Sequence, residues 1–132
     1  SGDPWVALTD DDLAGRRGIY VERFDRVAGD WILVGGGAIS DPAYDTDQPS
    51  IAFVDGSVYV AYVSDVGPTS QVFVSRWNGF RWQRLGPALN QAAAVDAAMP
   101  YVADVAGTAM VAFREPGGGP GTSGLIYVRA LR

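Results

Sequence analysis

The chain of 132 residues has no cysteine and no histidine. Without thiols it can form no disulfide, no zinc–thiolate centre and no cysteine nucleophile. Without imidazole it lacks the commonest general base and the commonest metal ligand. Lysine is absent too: all ten basic residues are arginine, set against 15 acidic ones for a net charge of −5. That acidity repels phosphate backbones, so nucleic acid is not expected as a partner. Only Arg16 and Arg17 are adjacent, and arginine without lysine reads as the composition of a GC-rich genome. No apolar run approaches the ~20 residues of a membrane-spanning helix, and no signal-peptide pattern opens the sequence. No stretch holds a 3.6-residue apolar period, and the one alanine-rich run, Gln91 to Met99, ends at Pro100. Helices are therefore not expected.

Hydrophobic residues make up 48% of the chain, beside 17 glycines and 8 prolines. That suits one turn-rich domain with a real core. Internal echoes organise it. Trp5-Val6-Ala7-Leu8 returns as Tyr59-Val60-Ala61-Tyr62 and Met110-Val111-Ala112-Phe113. Ile19-Tyr20-Val21 returns as Val72-Phe73-Val74 and Ile126-Tyr127-Val128, with Arg23 and Arg76 two residues beyond the first two copies and Arg129 one beyond the third. Trp31-x-x-Val34-Gly35 matches Trp82-x-x-Leu85-Gly86, and Pro49-Ser50-Ile51-Ala52 matches Pro100-Tyr101-Val102-Ala103. All fall at offsets of 51–54 residues. Turn chemistry separates the β-rich runs: Asp55-Gly56, Ala106-Gly107, Asn78-Gly79 and Ala28-Gly29-Asp30.

A repeat of this period with four short strands per unit is the mark of a β-propeller blade. From the channel outward, strand a is expected at Ser50–Val54 and Tyr101–Val105. Strand b is expected at Trp5–Thr9, Val58–Val63 and Ala109–Arg114, and strand c at Ile19–Phe24, Val72–Trp77 and Leu125–Ala130. Strand d falls at Trp31–Val34 and Trp82–Leu85. The fold class is thus all-β: one partial propeller domain over residues 1–132, in repeat units near 5–49, 50–99 and 100–132. The pattern over residues 5–131 resembles bacterial extracytoplasmic propeller repeats, sialidase-like or kelch-like in architecture. The resemblance implies a secreted or extracytoplasmic bacterial protein. The sialidase Asp-box and the Gly-His…Trp-Asp signature of WD40 repeats are absent, so sialidase activity does not carry over.

Ten strands in the order b-c-d, a-b-c-d, a-b-c make two and a half blade-equivalents over three sheets. Propeller rings close with about 4–8 blades. The ring is therefore expected to be completed by oligomerisation, a homodimer of six sheets, or by blades on further sequence of a parent chain.

Function is expected on the face carrying the b–c loops (Asp10–Gly18, Ser64–Gln71, Glu115–Gly124) and the d–a loops (Gly35–Gln48, Gly86–Met99), since variable loops on a rigid scaffold carry binding. Asp10, Asp65 and Glu115 stand at the exits of the b strands. They read either as a ring of carboxylates for a cation or sugar hydroxyls, or as turn caps. Asp10-Asp11-Asp12 reads as a solvated run neutralised by Arg16-Arg17, or as an oxygen-rich site of the kind Ca²⁺ takes. Asp41, Asp45 and Asp47 are candidate Ca²⁺ ligands, although the loop lacks the glycine and terminal glutamate of an EF-hand. Asp45 recurs as Asp96, which favours backbone bonding instead. Trp31, Trp77 and Trp82 are expected between sheets, and Tyr44 is the loop aromatic placed to stack on a sugar ring. Pro116–Gly124 reads as a glycine-rich loop without phosphate-loop chemistry.

The expected function is a non-catalytic recognition or scaffold module for glycans or protein surfaces, with no cofactor unless Ca²⁺. Two alternatives are a glycoside hydrolase or lyase using carboxylates at the channel mouth, and a purely structural part of a larger secreted propeller.

Overall fold

The computed structural model describes residues 2–117 and 124–131. Most of the glycine-rich stretch, residues 118–123, lies outside them. The described chain is all-β: ten strands and no helix, so no helix is long and apolar enough to cross a membrane. The strands form three antiparallel sheets in chain order. The first holds β1 (Trp5–Asp11), β2 (Arg17–Asp25) and β3 (Asp30–Leu33). The second holds β4 (Thr46–Val54), β5 (Ser57–Val66), β6 (Thr69–Trp77) and β7 (Trp82–Arg84). The third holds β8 (Ala98–Val105), β9 (Thr108–Glu115) and β10 (Leu125–Ala130).

Turn residues set these pairings. Asp55 (φ 47°) and Gly56 (φ 76°) close β4 onto β5, and Ala106 (φ 50°) with Gly107 (φ 80°) closes β8 onto β9. Two consecutive positive φ angles match the twist of the flanking strands. Asp25 Oδ1 accepts the amides of Val27 and Ala28, and Asn78 Oδ1 accepts those of Phe80 and Arg81, at equivalent hairpins of the first two sheets. Two expectations need correction. β4 starts at Thr46 rather than Ser50, and β8 at Ala98 rather than Tyr101. Gln48 (φ 54°) before Pro49 and Met99 (φ 55°) before Pro100 kink each strand into a bulge without ending it. The second b–c connection is not a long loop. Ser64 to Val66 continue β5, and Gly67-Pro68 alone turns the chain into β6.

The second sheet is covered on both faces. Val60, Tyr62 and Phe73 pack against Ile19, Val21 and Val34 of the first sheet and its following segment. Ala61, Val63, Val72 and Val74 pack against Val102, Val111 and Phe113 of the third and Ala97 just before it. A strand buried on both faces reads as an unbroken apolar run, and Val58–Val63 is such a run. Each large apolar side chain hidden this way contributes roughly 1.5–3 kcal/mol. The kinked strands also tie neighbours together: Gln48 Oε1 accepts from Met99 N (2.7 Å) and Ser50 Oγ from Val102 N (3.0 Å).

Candidate functional site

After β3 the chain runs beside β2, with Val34 N donating to Val21 O and Ile39 N to Ile19 O. Ser40, buried, accepts the Ile19 amide on its hydroxyl (3.0 Å). The chain then turns at Asp41-Pro42-Ala43-Tyr44. Asp41 Oδ1 accepts from Ala43 N (2.9 Å), and Asp41 O from Tyr44 N (3.2 Å). Arg16 braces the turn from β1–β2, donating to Pro42 O (3.0 Å). On the far side the buried Thr46 and Ser64 hydroxyls pair at 3.0 Å. Tyr44 is thereby fixed at the loop end of the first two sheets.

Two hollows meet at Asp41 and Tyr44. One, of about 400 Å³, is lined by these two with Tyr62, Gln71, Phe73 and Arg84, among others. The other, about 160 Å³, adds Asp12, Arg16, Arg17 and Tyr20. The Arg84 guanidinium lies 4.9 Å from the centre of the Phe73 ring, a cation–π contact that leaves planar N–H donors beside an aromatic wall. Burial pushes the Tyr62 phenol above the usual tyrosine value, only partly opposed by its hydrogen bond to Ser75 and the charge of Arg84. The strip therefore offers aromatic faces, guanidinium donors, the Asp12 and Asp41 carboxylates and an amide.

The other expected site residues do separate tasks. Asp10 Oδ1 accepts the Asp11 amide, and Asp12 Oδ1 accepts those of Ala14 and Arg16, so the acidic run works as turn chemistry. Asp65 lies in β5 and accepts from the Ser70 hydroxyl (2.7 Å). Glu115 is buried and accepts the Gln91 amide, anchoring the loop that follows the second sheet. Register places Asp10 opposite Gly18 and Glu115 opposite Leu125, whereas Asp65 faces Ser70, one place further along its strand. Asp45 and Asp96 accept the Arg17 and Ser70 amides (2.9 and 2.8 Å) at equivalent places. Arg17 also pairs with Asp47 at 3.0 Å. Asp41, Asp45 and Asp47 each serve a different protein donor, and among the described residues no three acidic side chains gather into a metal-holding group.

The tryptophans divide. Trp77 and Trp82 sit between the first two sheets 5.3 Å apart, and the Trp82 indole donates to Val34 O (3.0 Å). Trp31 is not in an inter-sheet core. It stands 42% exposed against Phe24, because no described sheet covers that side of the first sheet.

Sequence reasoning passed over a larger hollow of about 900 Å³ at the hairpin end. Trp5, Arg23 and Ile32 stand in one row across the first sheet, and Phe53, Val58 and Trp77 in one row across the second. These six line it together with Arg76, whose Nε is buried without a hydrogen-bond partner among the described residues. The signal in the sequence was the arginine recurring two residues past the first two triplets, at Arg23 and Arg76.

No protein-family model matches the chain, and no curated protein does. A solved structure does: the endo-arabinase of Bacteroides thetaiotaomicron, a β-propeller-like enzyme. The TM-score is 0.61 at 18% sequence identity. The likeness is one of fold. The match covers 99% of this chain and 52% of the endo-arabinase, so this chain spans about half of that protein's length.

Proposed function

We propose that the chain is a carbohydrate-recognition module of propeller type, binding a glycan along the strip centred on Tyr44. The observation that carries this is the fixed placement of Tyr44 between two hollows that mix aromatic rings with planar polar groups. Sugars present C–H faces that suit aromatic walls and paired hydroxyls that suit guanidinium, carboxylate and amide groups, and ligand sites combine apolar walls with a few fixed polar groups. The glycan-acting name of the structural neighbour is in keeping with that reading. Recognition is preferred over hydrolysis because the strip's two carboxylates, Asp12 and Asp41, each accept backbone amides of their own turns, where glycoside hydrolysis needs one carboxyl to give a proton and another to attack or to activate water. The reading keeps the chain extracytoplasmic, as the repeat resemblance implies.

A glycan array tests it, run with Ca²⁺ and with chelator. Wild type retains a defined set of glycans, and Tyr44→Ala loses them with its thermal unfolding unchanged. Retention by Tyr44→Ala, or no retained glycan at all, overturns the proposal. Turnover of an aryl glycoside that disappears with Asp10→Asn, Asp65→Asn or Glu115→Gln would replace it with the hydrolase reading.

A further inference from the structure

Neighbouring sheets in this chain dock by one rule, applied twice. The face bearing the second triplet of one sheet meets the face bearing the aliphatic and aromatic b-strand residues of the next. Ile19 and Val21 meet Val60 and Tyr62, and Val72 and Val74 meet Val111 and Phe113. The chain carries one further copy of each face. On the third sheet Ile126 and Val128, the next triplet, are 66% and 57% exposed, beside Tyr101 at 67%. On the first sheet Val6 and Leu33 are 40% and 39% exposed, at the positions that Val60 and its neighbours occupy on the second.

We infer that the bare face of the third sheet docks onto the bare face of the first sheet in a second copy of this chain. Each copy presents both halves of the joint, so two copies related by a two-fold axis satisfy all four faces and close on themselves with six sheets. The docking rule supplies the register. Arg114 stands where Val63 stands one repeat earlier, and Asp10 stands where Glu115 stands two repeats later. In the chain's own joint Val63 packs in the same cluster as Phe113, which lies two residues before Glu115 on the same face of β9. The new joint therefore brings Arg114 of one copy toward Asp10 of the other, opposite charges at the rim of an apolar patch. Joints between neighbouring sheets of this kind are head-to-tail, never face to like face.

Light scattering on a sizing column, with the full chain over a range of concentrations, reads the association. The expected mass is twice the 14.0 kDa of one chain. Val128→Asp is expected to return it to 14.0 kDa with an unchanged circular dichroism spectrum. A wild-type mass of 14.0 kDa throughout, or an open ladder of larger species, overturns the inference. The cysteine-free chain gives a second reading. Val6→Cys and Val128→Cys proteins, treated with a short thiol-to-thiol linker, are expected to cross-link only when mixed. Cross-linking within either protein alone contradicts head-to-tail docking.

Discussion

Val72 and Val74 of the second sheet are 0% and 1% exposed, whereas Ile126 and Val128, at the same places of the repeat in the third sheet, are 66% and 57% exposed. The residues are of one kind, and in both sheets they stand on an antiparallel strand paired with its predecessor. What differs is the neighbour. Local sequence writes the strand, while burial belongs to the pair of sheets, so equal side chains carry unequal stability across the chain.

The largest expected effect contrasts two equivalent positions. Val74→Asp places a charge between the second and third sheets without a partner, at a cost of several kcal/mol, and is expected to leave the chain unfolded by circular dichroism. Val128→Asp is expected to leave a single chain folded. Equal damage from both would break the comparison. Next, Phe113→Ala, which empties a site 1% exposed, is expected to cost about 3–5 kcal/mol in denaturant unfolding. Phe80→Ala, at a ring 87% exposed on a hairpin, should stay within about 0.5 kcal/mol.

Smaller effects sharpen the repeat itself. Asp45→Ala and Asp96→Ala each remove an acceptor from one strand-opening amide. Each is expected to cost about 1 kcal/mol, with the two adding in the double variant because they serve different sheets. A neutral result at one site would show that the equivalent bonds are unequal in strength. The pH dependence is smaller still near neutrality. Tyr62 has its folded pKa raised by burial. Stability is therefore fully present below the ordinary tyrosine value of about 10 and falls as pH rises from there through the folded value. Ultraviolet titration of phenolate should find one tyrosine ionising late, and Tyr62→Phe should remove it. Asp25 runs the other way. The Ala28 and Val27 amides hold its carboxylate below the ordinary value, so its contribution is present above the unfolded value and is lost as pH falls through the folded one, measurable by carboxyl chemical shift.

All ten strands were legible because each copy of the repeat repeated its turn residues as well as its apolar run. Asp55-Gly56 and Ala106-Gly107 close equivalent hairpins although only one has the usual dipeptide. The bulges were not legible. Proline after Gln48 and Met99 reads as a strand start, and only a positive φ at the residue before it lets the strand carry through. Tyr44, Arg16 and Arg17 line one hollow although they come from separate stretches of the chain. Asp65 parts from Asp10 and Glu115 because it lies one residue further along its strand, and one residue of register moves a side chain to the opposite face. The hairpin-end hollow depends on how far apart two sheets stand at one end, which no single strand encodes.

Native-state hydrogen exchange tests the account most directly. β2, β5, β6 and β9 are all interior strands of their sheets, so edge effects do not separate them. In dilute protein the account predicts slowest exchange in β5 and β6, covered on both faces, and faster exchange in β2 and β9, where one face of the sheet is bare. Exchange in β2 or β9 as slow as in β5 and β6 under those conditions would contradict it.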